Sequence, residues 1–143
     1  MKLTLQRRNQ AFHFEAINEG GQSIQLDANP SIGGENKGMR PMETIIAGLG
    51  GCSAIDIGLI LKKQKIEPEK LWIDIEAERE AGKTPALFTD IYLHYHFEGN
   101  IPSEKAERAI RLSIDKYCSV AKILAPTANI HTQFTIHPVK EHV

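Results

Sequence analysis

This chain of 143 residues lacks a cluster of positive charge, and this absence is the most informative one. Lysine and arginine are scattered, no basic run exceeds two residues, and the formal net charge is −1. A nucleic-acid-binding surface needs a basic patch or stripe, so we expect no nucleic-acid partner. The first thirty residues also lack an apolar leader segment. We therefore expect no signal peptide and a cytoplasmic location.

Cysteine is scarce, and the motifs of common cofactor sites are missing. The two cysteines, Cys52 and Cys118, suggest redox or catalytic use before a structural disulfide in a cytoplasmic protein. The glycine-rich segment 33–38 lacks the GK[ST] ending of a phosphate-binding loop. His94 and His96 alternate on a predicted strand, but no third ligand is apparent, which favours surface histidines. We expect no metal, flavin, haem or nicotinamide cofactor.

What the chain does have is one long apolar segment, residues 41–61, followed by Lys62-Lys63. Its apolar side chains fall on every face of a helix, which predicts a helix buried all round. A membrane span is the alternative, because about 18 apolar residues without charge are enough for one. Glu43, Asp56 and four glycines interrupt the run. These interruptions favour a core helix and no membrane.

Three glycines stand directly before the first cysteine, at Gly48, Gly50 and Gly51. Each weakens a helix interior by about 1 kcal/mol relative to alanine, so they indicate either a break or a close backbone approach. If the helix restarts near Gly51, Cys52 lies in a first turn, where free N–H groups and the helix dipole favour a thiolate. The alternative is that Cys52 is a small buried hydrophobe.

The remaining elements are short and predict an α+β fold in one domain, residues 1–143. We predict three antiparallel strands within residues 1–27, a loop over 28–40, the central helix, alternating strands over 71–78 and 87–97, a helix that Ser103 caps and that ends at 116–119, a short helical piece at 120–124 and a strand over 129–136. One sheet covers one side of a helix. A helix buried all round therefore predicts a homodimer with the central helices at or near its interface.

Two segments together resemble one known family. The run from Arg40-Pro41 to Gly51-Cys52, and the run Lys116–Leu124 around Cys118, resemble the OsmC/Ohr family of osmotically induced and organic-hydroperoxide-resistance proteins. The resemblance implies an OsmC-like two-layer α+β fold, with antiparallel sheets packed on a long buried central helix, in an intertwined homodimer. It also implies that Cys52 is the peroxidatic cysteine and Cys118 the resolving one. A dithiol such as a lipoylated protein would then reduce the disulfide.

The chain departs from that family beside the helix start. Peroxidase members carry a glutamate directly after the proline, where this chain has Met42, and Glu43 comes one position late. Nine residues separate Glu43 from Cys52, about 900° of helical rotation, so Glu43 can serve Cys52 only if the glycines break the helix. The family also uses an arginine from the N-terminal strands to hold the glutamate and the thiolate. The candidates are Arg8, its neighbour Arg7, and Arg40 on the loop. The chain therefore resembles an OsmC-like branch without the full peroxidase signature.

Three functional hypotheses follow. The first is a thiol-dependent hydroperoxide reductase that prefers organic hydroperoxides, because the walls of the site would be apolar, formed by Ile55, Leu59, Val120 and Leu124. The second is a binding or redox-sensing protein that holds a small apolar or thiol ligand at the dimer interface without peroxidase turnover. The third is a stress-related protein whose cysteines only pack. Reactivity of Cys52 separates the first from the third, and a bound apolar ligand without turnover would favour the second.

Overall fold

The computed structural model describes residues 1–141 and contains two compact units, Met1–Ala47 and Gly48–Val143. The prediction of one domain stays a prediction. Within the described residues the chain runs through β1 (Leu3–Arg7), β2 (Phe14–Asn18), β3 (Ser23–Leu26), α1 (Pro41–Lys63), β4 (Lys70–Arg79), β5 (Phe88–Glu98), α2 (Ser103–Leu112), α3 (Ser119–Leu124) and β6 (Asn129–His137). This mixed architecture confirms the predicted α+β class.

The first unit is a small antiparallel sheet with an anchored loop. Its strand order is β1-β2-β3. The loop after β3 folds around the buried Asp27, whose carboxylate accepts the N–H groups of Ala28 at 2.7 Å, Glu35 at 3.1 Å and Lys37 at 3.0 Å. A Cβ at Gly34 would lie 1.7 Å from the Ala28 carbonyl oxygen, so only glycine fits there. The Asp27 carboxylate therefore organises this glycine-rich loop.

The second unit contains a sheet with the order β4-β5-β6. β4 and β5 are antiparallel, whereas β6 runs parallel to β5 because α2 and α3 form a crossover connection. The predicted alternation along β5 is confirmed, since Ile91, Leu93, Tyr95 and Phe97 are buried. Leu87 was expected on the same face, but it precedes the strand and is exposed.

Helix α1 is continuous for 23 residues, so the glycines do not break it. Its buried residues within one chain are Leu49, Gly50, Ser53, Ile57 and Leu61. A Cβ at Gly50 would lie 2.6 Å from Ile75 Cδ1, so this glycine permits a close approach of β4. The opposite side is open, with Ile55 67% and Leu59 54% exposed. The prediction of all-round burial is therefore wrong within one chain.

By length and composition alone, α1 is also long and apolar enough to cross a membrane. Its buried face shows a different environment. Leu49, Ser53, Ile57 and Leu61 recur every four residues and are fully covered by protein. A helix with one protein-covered face of this kind is typical of a core helix.

Helix α2 begins one residue earlier than the sequence suggested. Pro102 occupies the N-cap position, and Ser103 is the first helical residue without a side-chain capping bond. After Leu112 the chain continues as a π-helical turn, Ser113–Tyr117, before α3. Single π-helical turns are frequent at functional sites. Here the turn leads directly to the second cysteine.

Candidate active site

Cys52 lies in the middle of α1, eleven residues after Pro41. The free N–H groups and the positive dipole end are confined to the first turn of a helix, so they do not act at Cys52. The hypothesis of a first-turn cysteine is therefore wrong, because the helix is unbroken. Asp56 follows Cys52 by four residues and shares its face of the helix. The nearest feature on the helix that could affect the thiol is thus an acid.

Cys118 is placed by the π-helical turn that ends α2. Its backbone N–H donates to the Ser113 carbonyl oxygen at 2.7 Å, which closes the turn. Its sulfur accepts the Ala121 N–H at 3.4 Å and so caps α3. The Cys118 residue is 3% exposed, whereas Cys52 is half-buried. Two backbone contacts therefore fix the position of a buried thiol.

The fold brings the two cysteines together with Asp56. The sulfur atoms of Cys52 and Cys118 and a carboxylate oxygen of Asp56 all lie within 4.8 Å of one another. Both cysteines are reduced in this structure. A disulfide has an S–S length of about 2.05 Å, so bond formation needs a further approach of the two sulfurs. Cysteines 66 positions apart in sequence are thus neighbours in space.

The same three side chains are the group within residues 1–141 whose atom types and spacing come nearest to a metal site. A structural zinc site takes four protein ligands, and this group has three. Two thiols close enough to pair by oxidation also satisfy the requirement of reversible sulfenic acid chemistry. We therefore interpret the group as a thiol–acid site.

Three hydrogen bonds from hydroxyl groups hold the segment of α1 that carries Cys52 and Asp56. Ser113 Oγ donates to Asp56 Oδ2 at 3.0 Å, so the π-helical turn holds the acid as well as Cys118. The Tyr95 hydroxyl donates to Ser53 Oγ at 2.9 Å, and Ser53 Oγ donates to the Gly50 carbonyl oxygen at 3.1 Å. These bonds tie β5 and the π-helical turn to the same segment of α1.

Burial shifts the ionisation of two groups beside Asp56. It raises the pKa of the Cys118 thiol to about 11, and the neighbouring Cys52 adds to the shift, against the Ala121 N–H, which lowers it. Burial also raises the pKa of Tyr95 to about 12, with a smaller contribution from the charge of Asp56. At neutral pH both Cys118 and Tyr95 therefore keep their protons.

A groove of about 430 Å³ lies between α1 and α2, and Asp56 is one of the residues that line it. Its walls include the apolar parts of Leu59, Leu112 and Tyr117, with Lys63 and Arg108 along its length. Of the four wall residues predicted from the sequence, Leu59 lines this groove, and Ile55 is exposed on α1. The groove offers an apolar ligand a path to the acid beside Cys52.

The predicted arginines and glutamate have other partners in the first unit. Arg8 pairs with Glu15 at 2.6 Å, and Arg7 donates to the carbonyl oxygens of Gln10 and Ala11. Arg40 donates to Asn36 Oδ1 at 2.6 Å and to the Gly38 carbonyl oxygen. A catalytic role for these arginines stays a prediction.

Glu43 has a structural explanation. Its carboxylate accepts the Arg40 N–H at 2.8 Å, and Pro41 occupies the first helical position. A glutamate at the third position that reaches back to the residue before the helix forms half of a capping box. The condition for Glu43 to serve Cys52 was a helix break, and α1 has none. Within one chain Glu43 therefore stabilises the start of α1.

Sequence analysis overlooked Asp56, Ser53, Ser113 and Tyr95 as site residues. Asp56 counted only as an interruption of an apolar run, although a cysteine and an acid four residues apart share a helix face. That spacing was the available signal. Ser113 and Tyr95 carried no such signal in the sequence, because their hydrogen-bond partners on α1 are far from them along the chain.

Comparisons with known proteins agree with this geometry. The sequence profile described as "OsmC-like protein" matches residues 34–133. Protein YhfA of Escherichia coli K12 is 35% identical over 117 residues, covering 81% of this chain and 84% of YhfA. A protein named hydroperoxide reductase from Mycoplasma genitalium is 28% identical over 116 residues, covering 79% of each chain. The crystal structure of a hypothetical protein from Aquifex aeolicus VF5 superposes with a TM-score of 0.82 at 28% identity, covering 97% of both chains.

Proposed function

We propose that this chain, which belongs to the OsmC-like protein family, is a thiol-dependent hydroperoxide reductase with Cys52 as the peroxidatic and Cys118 as the resolving cysteine. One observation supports this most directly: two reduced thiols and an acid lie within 4.8 Å of one another. The half-buried Cys52 is the thiol that a substrate reaches more easily, whereas Cys118 is buried. This asymmetry suits an attacking and a resolving cysteine.

The proposed reaction has two chemical steps and a reset. The Cys52 thiolate attacks the peroxide, takes one oxygen and releases an alcohol, and so becomes a sulfenic acid. The Cys118 thiol then displaces hydroxide from that sulfur, which forms a disulfide and water. A dithiol such as a lipoylated protein reduces the disulfide and returns both thiols. The apolar walls of the groove at Asp56 favour organic over inorganic peroxides.

We also propose that the protein works as a homodimer in the cytoplasm. Large apolar side chains stand exposed in both units, Ile55 and Leu59 on α1 and Leu3 and Leu5 on β1. Exposed apolar patches mark interaction surfaces, and a second copy is the simplest partner. Sedimentation equilibrium across a range of protein concentrations tests this proposal. A monomer at every concentration would contradict it.

The test of the activity compares the reduced wild-type protein with Cys52→Ser and Cys118→Ser. Each protein receives cumene hydroperoxide or hydrogen peroxide with dihydrolipoamide as reductant, and peroxide consumption is followed. We expect the wild type to turn over, to prefer the organic substrate and to lose activity in Cys52→Ser. Cys118→Ser should oxidise Cys52 but fail to form the internal disulfide. A wild type as inert as Cys52→Ser would contradict the proposal.

One observation favours the second hypothesis, a binding or redox-sensing protein. The group nearest to Cys52 on its helix face is the acid Asp56 rather than a basic side chain. Slow oxidation of Cys52 would suit a sensor better than a detoxifying enzyme. A Cys52 that oxidises stoichiometrically but does not turn over with any dithiol, together with an apolar ligand that co-purifies in the groove, would support this function instead.

A further inference from the structure

The carboxylate of Asp56 is the one component of the thiol–acid group to which the proposed reaction gives no role. Its oxygen lies within 4.8 Å of both sulfur atoms. Ser113 Oγ holds Oδ2 at 3.0 Å, and Ser113 also accepts the Cys118 N–H through its carbonyl oxygen. One residue of the π-helical turn therefore sets the acid and the resolving cysteine relative to each other. This arrangement joins Asp56 to Cys118 through Ser113.

The resolving step needs a proton acceptor. The thiolate is the attacking form of cysteine, and burial keeps the Cys118 thiol protonated, with a pKa raised to about 11. About one molecule in ten thousand would carry a Cys118 thiolate at pH 7. Tyr95 cannot help, because burial raises its pKa to about 12 and its hydroxyl already donates to Ser53. The carboxylate within reach is that of Asp56.

We propose that Asp56 is the general base of the resolving step, an inference that rests on the proposed hydroperoxide reductase function. The Cys118 thiol gives its proton to the Asp56 carboxylate as its sulfur attacks the sulfur of the Cys52 sulfenic acid. The S–S bond forms, the S–O bond breaks, and the departing hydroxide takes the proton from Asp56 to leave as water. Thiol and sulfenic acid thus become disulfide and water, without any further oxidant or reductant.

Removal of the Asp56 charge distinguishes a role in disulfide formation from a role in peroxide attack by Cys52. Asp56 has no role in peroxide attack by Cys52, so its removal leaves that step at about the wild-type rate. The same removal takes away the acceptor for the Cys118 proton. One substitution therefore slows the second step and spares the first. A substitution that merely disturbed the packing of α1 would slow both.

The pH dependence of disulfide formation also distinguishes a reaction with the Asp56 base from one without it. The titratable and charged groups around Asp56 are Cys52 and Lys63 from α1, Tyr95 from β5, Arg108 from α2 and Cys118 after the π-helical turn. With the Asp56 carboxylate as base, disulfide formation needs no prior loss of the Cys118 proton to water, so its rate does not follow the titration of Cys118. Without the carboxylate, Cys118 must lose its proton to water. The rate then rises about tenfold per pH unit until the thiol itself titrates.

The experiment is a single turnover of the reduced protein with one equivalent of cumene hydroperoxide. Rapid quenching at successive times separates sulfenic acid at Cys52, trapped with dimedone, from the Cys52–Cys118 disulfide, measured by mass spectrometry. The variants are Asp56→Asn and Asp56→Glu, and Asp115→Asn is the matched control. Asp115 is an exposed acid on the same π-helical turn, so this control makes the same change of charge.

We expect Asp56→Asn to form sulfenic acid about as fast as the wild type but to form the disulfide about 100-fold more slowly at pH 7. Its disulfide rate should rise steeply with pH, Asp56→Glu should recover part of the rate, and Asp115→Asn should match the wild type. Disulfide formation at the wild-type rate in Asp56→Asn, or an equal loss in both steps, would overturn the assignment. A wild type that forms no Cys52 sulfenic acid would instead refute the proposed function, and the base role with it.

Discussion

The two compact units of this chain are stabilised in different ways. In residues 48–141 the buried set includes Leu49, Ile57, Leu61 and the inward row of β5, which form an apolar core. In residues 1–47, all of them described, the buried residues are Ala16 and Asp27, and every residue of β1 is exposed. The second unit rests on apolar packing, whereas the first rests on the backbone hydrogen bonds of its sheet and on the bonds to the Asp27 carboxylate. The site belongs to the unit that has a core, since rigid packing is what can hold two thiols and an acid in register.

The largest expected effect tests this difference directly. Ile57 is 0% exposed and Leu5 is 58% exposed. Replacement of Ile57 by alanine should lower the free energy of unfolding by about 2–5 kcal/mol, because it leaves a cavity. Within one chain Leu5→Ala should change it by no more than about 0.5 kcal/mol, so a larger loss is expected only if the second copy of the proposed homodimer covers β1. Urea unfolding of both variants at two protein concentrations measures the pair. A large, concentration-dependent loss for Leu5→Ala would mean that a second copy covers β1.

A middle-sized effect concerns the dependence of stability on pH. Each unit buries an acidic group, and folding lowers the pKa of Asp27 in the first unit but raises the pKa of Cys118 in the second. Hydrogen bonds from the backbone of Lys37, Ala28 and Glu35 lower the pKa of Asp27 from its ordinary 3.8. The unfolded chain therefore takes up this proton first, and the contribution of Asp27 to stability is lost as pH falls below about 4. Amide NMR signals of residues 27–38 should shift or broaden there before those of β5. Unchanged loop signals at that pH would contradict this expectation.

At the alkaline end the second unit should weaken. The pKa of Cys118 rises from an ordinary value of 9.0 to about 11, so above pH 9 the unfolded chain releases a proton that the folded chain keeps. Stability of the reduced protein then falls, by roughly 1.4 kcal/mol at pH 10. Urea unfolding, monitored by the fluorescence of Trp72, measures this loss of stability. Cys118→Ser should remove this slope up to about pH 10, where Tyr95 begins to contribute. If the stability of the reduced wild type does not change between pH 9 and pH 10, the raised pKa of Cys118 is not the cause.

The smallest expected effect tests whether the open side of α1 in the second unit is covered by a second copy. A Cβ at Gly51 meets nothing within 4 Å in the same chain, so within one chain Gly51→Ala should stabilise α1 by about 1 kcal/mol through helix propensity, whereas at the proposed dimer interface the added methyl group would meet the second copy. Gly50→Ala is the matched control, because its Cβ would lie 2.6 Å from Ile75 Cδ1 and the gain should be cancelled. If Gly51→Ala instead destabilises the protein and dissociates it, the open side of α1 is packed against a second copy.

Sequence patterns predicted most elements of the fold because periodicity is local. The alternation along β5 and the apolar run of α1 both appear in the structure within a few residues of their predicted bounds. The site was predicted in part. Cys52 and Cys118 came from a family resemblance, and the structure brings them together. Asp56 was missed because a charged residue within an apolar run looks like an interruption until its neighbours across the fold are known.

The sequence by itself determined which segments form helices and strands and which face of β5 turns inward, since these depend on residues a few positions apart. Only the tertiary structure decided the continuity of α1 through its glycines, because the cost of each glycine is small compared with the burial of Leu49 and Ile57 on the same face. It also decided the chemistry of the site. A π-helical turn places Ser113 and Cys118 against Asp56 and Cys52, and no spacing within the sequence encodes a contact between groups some 60 positions apart.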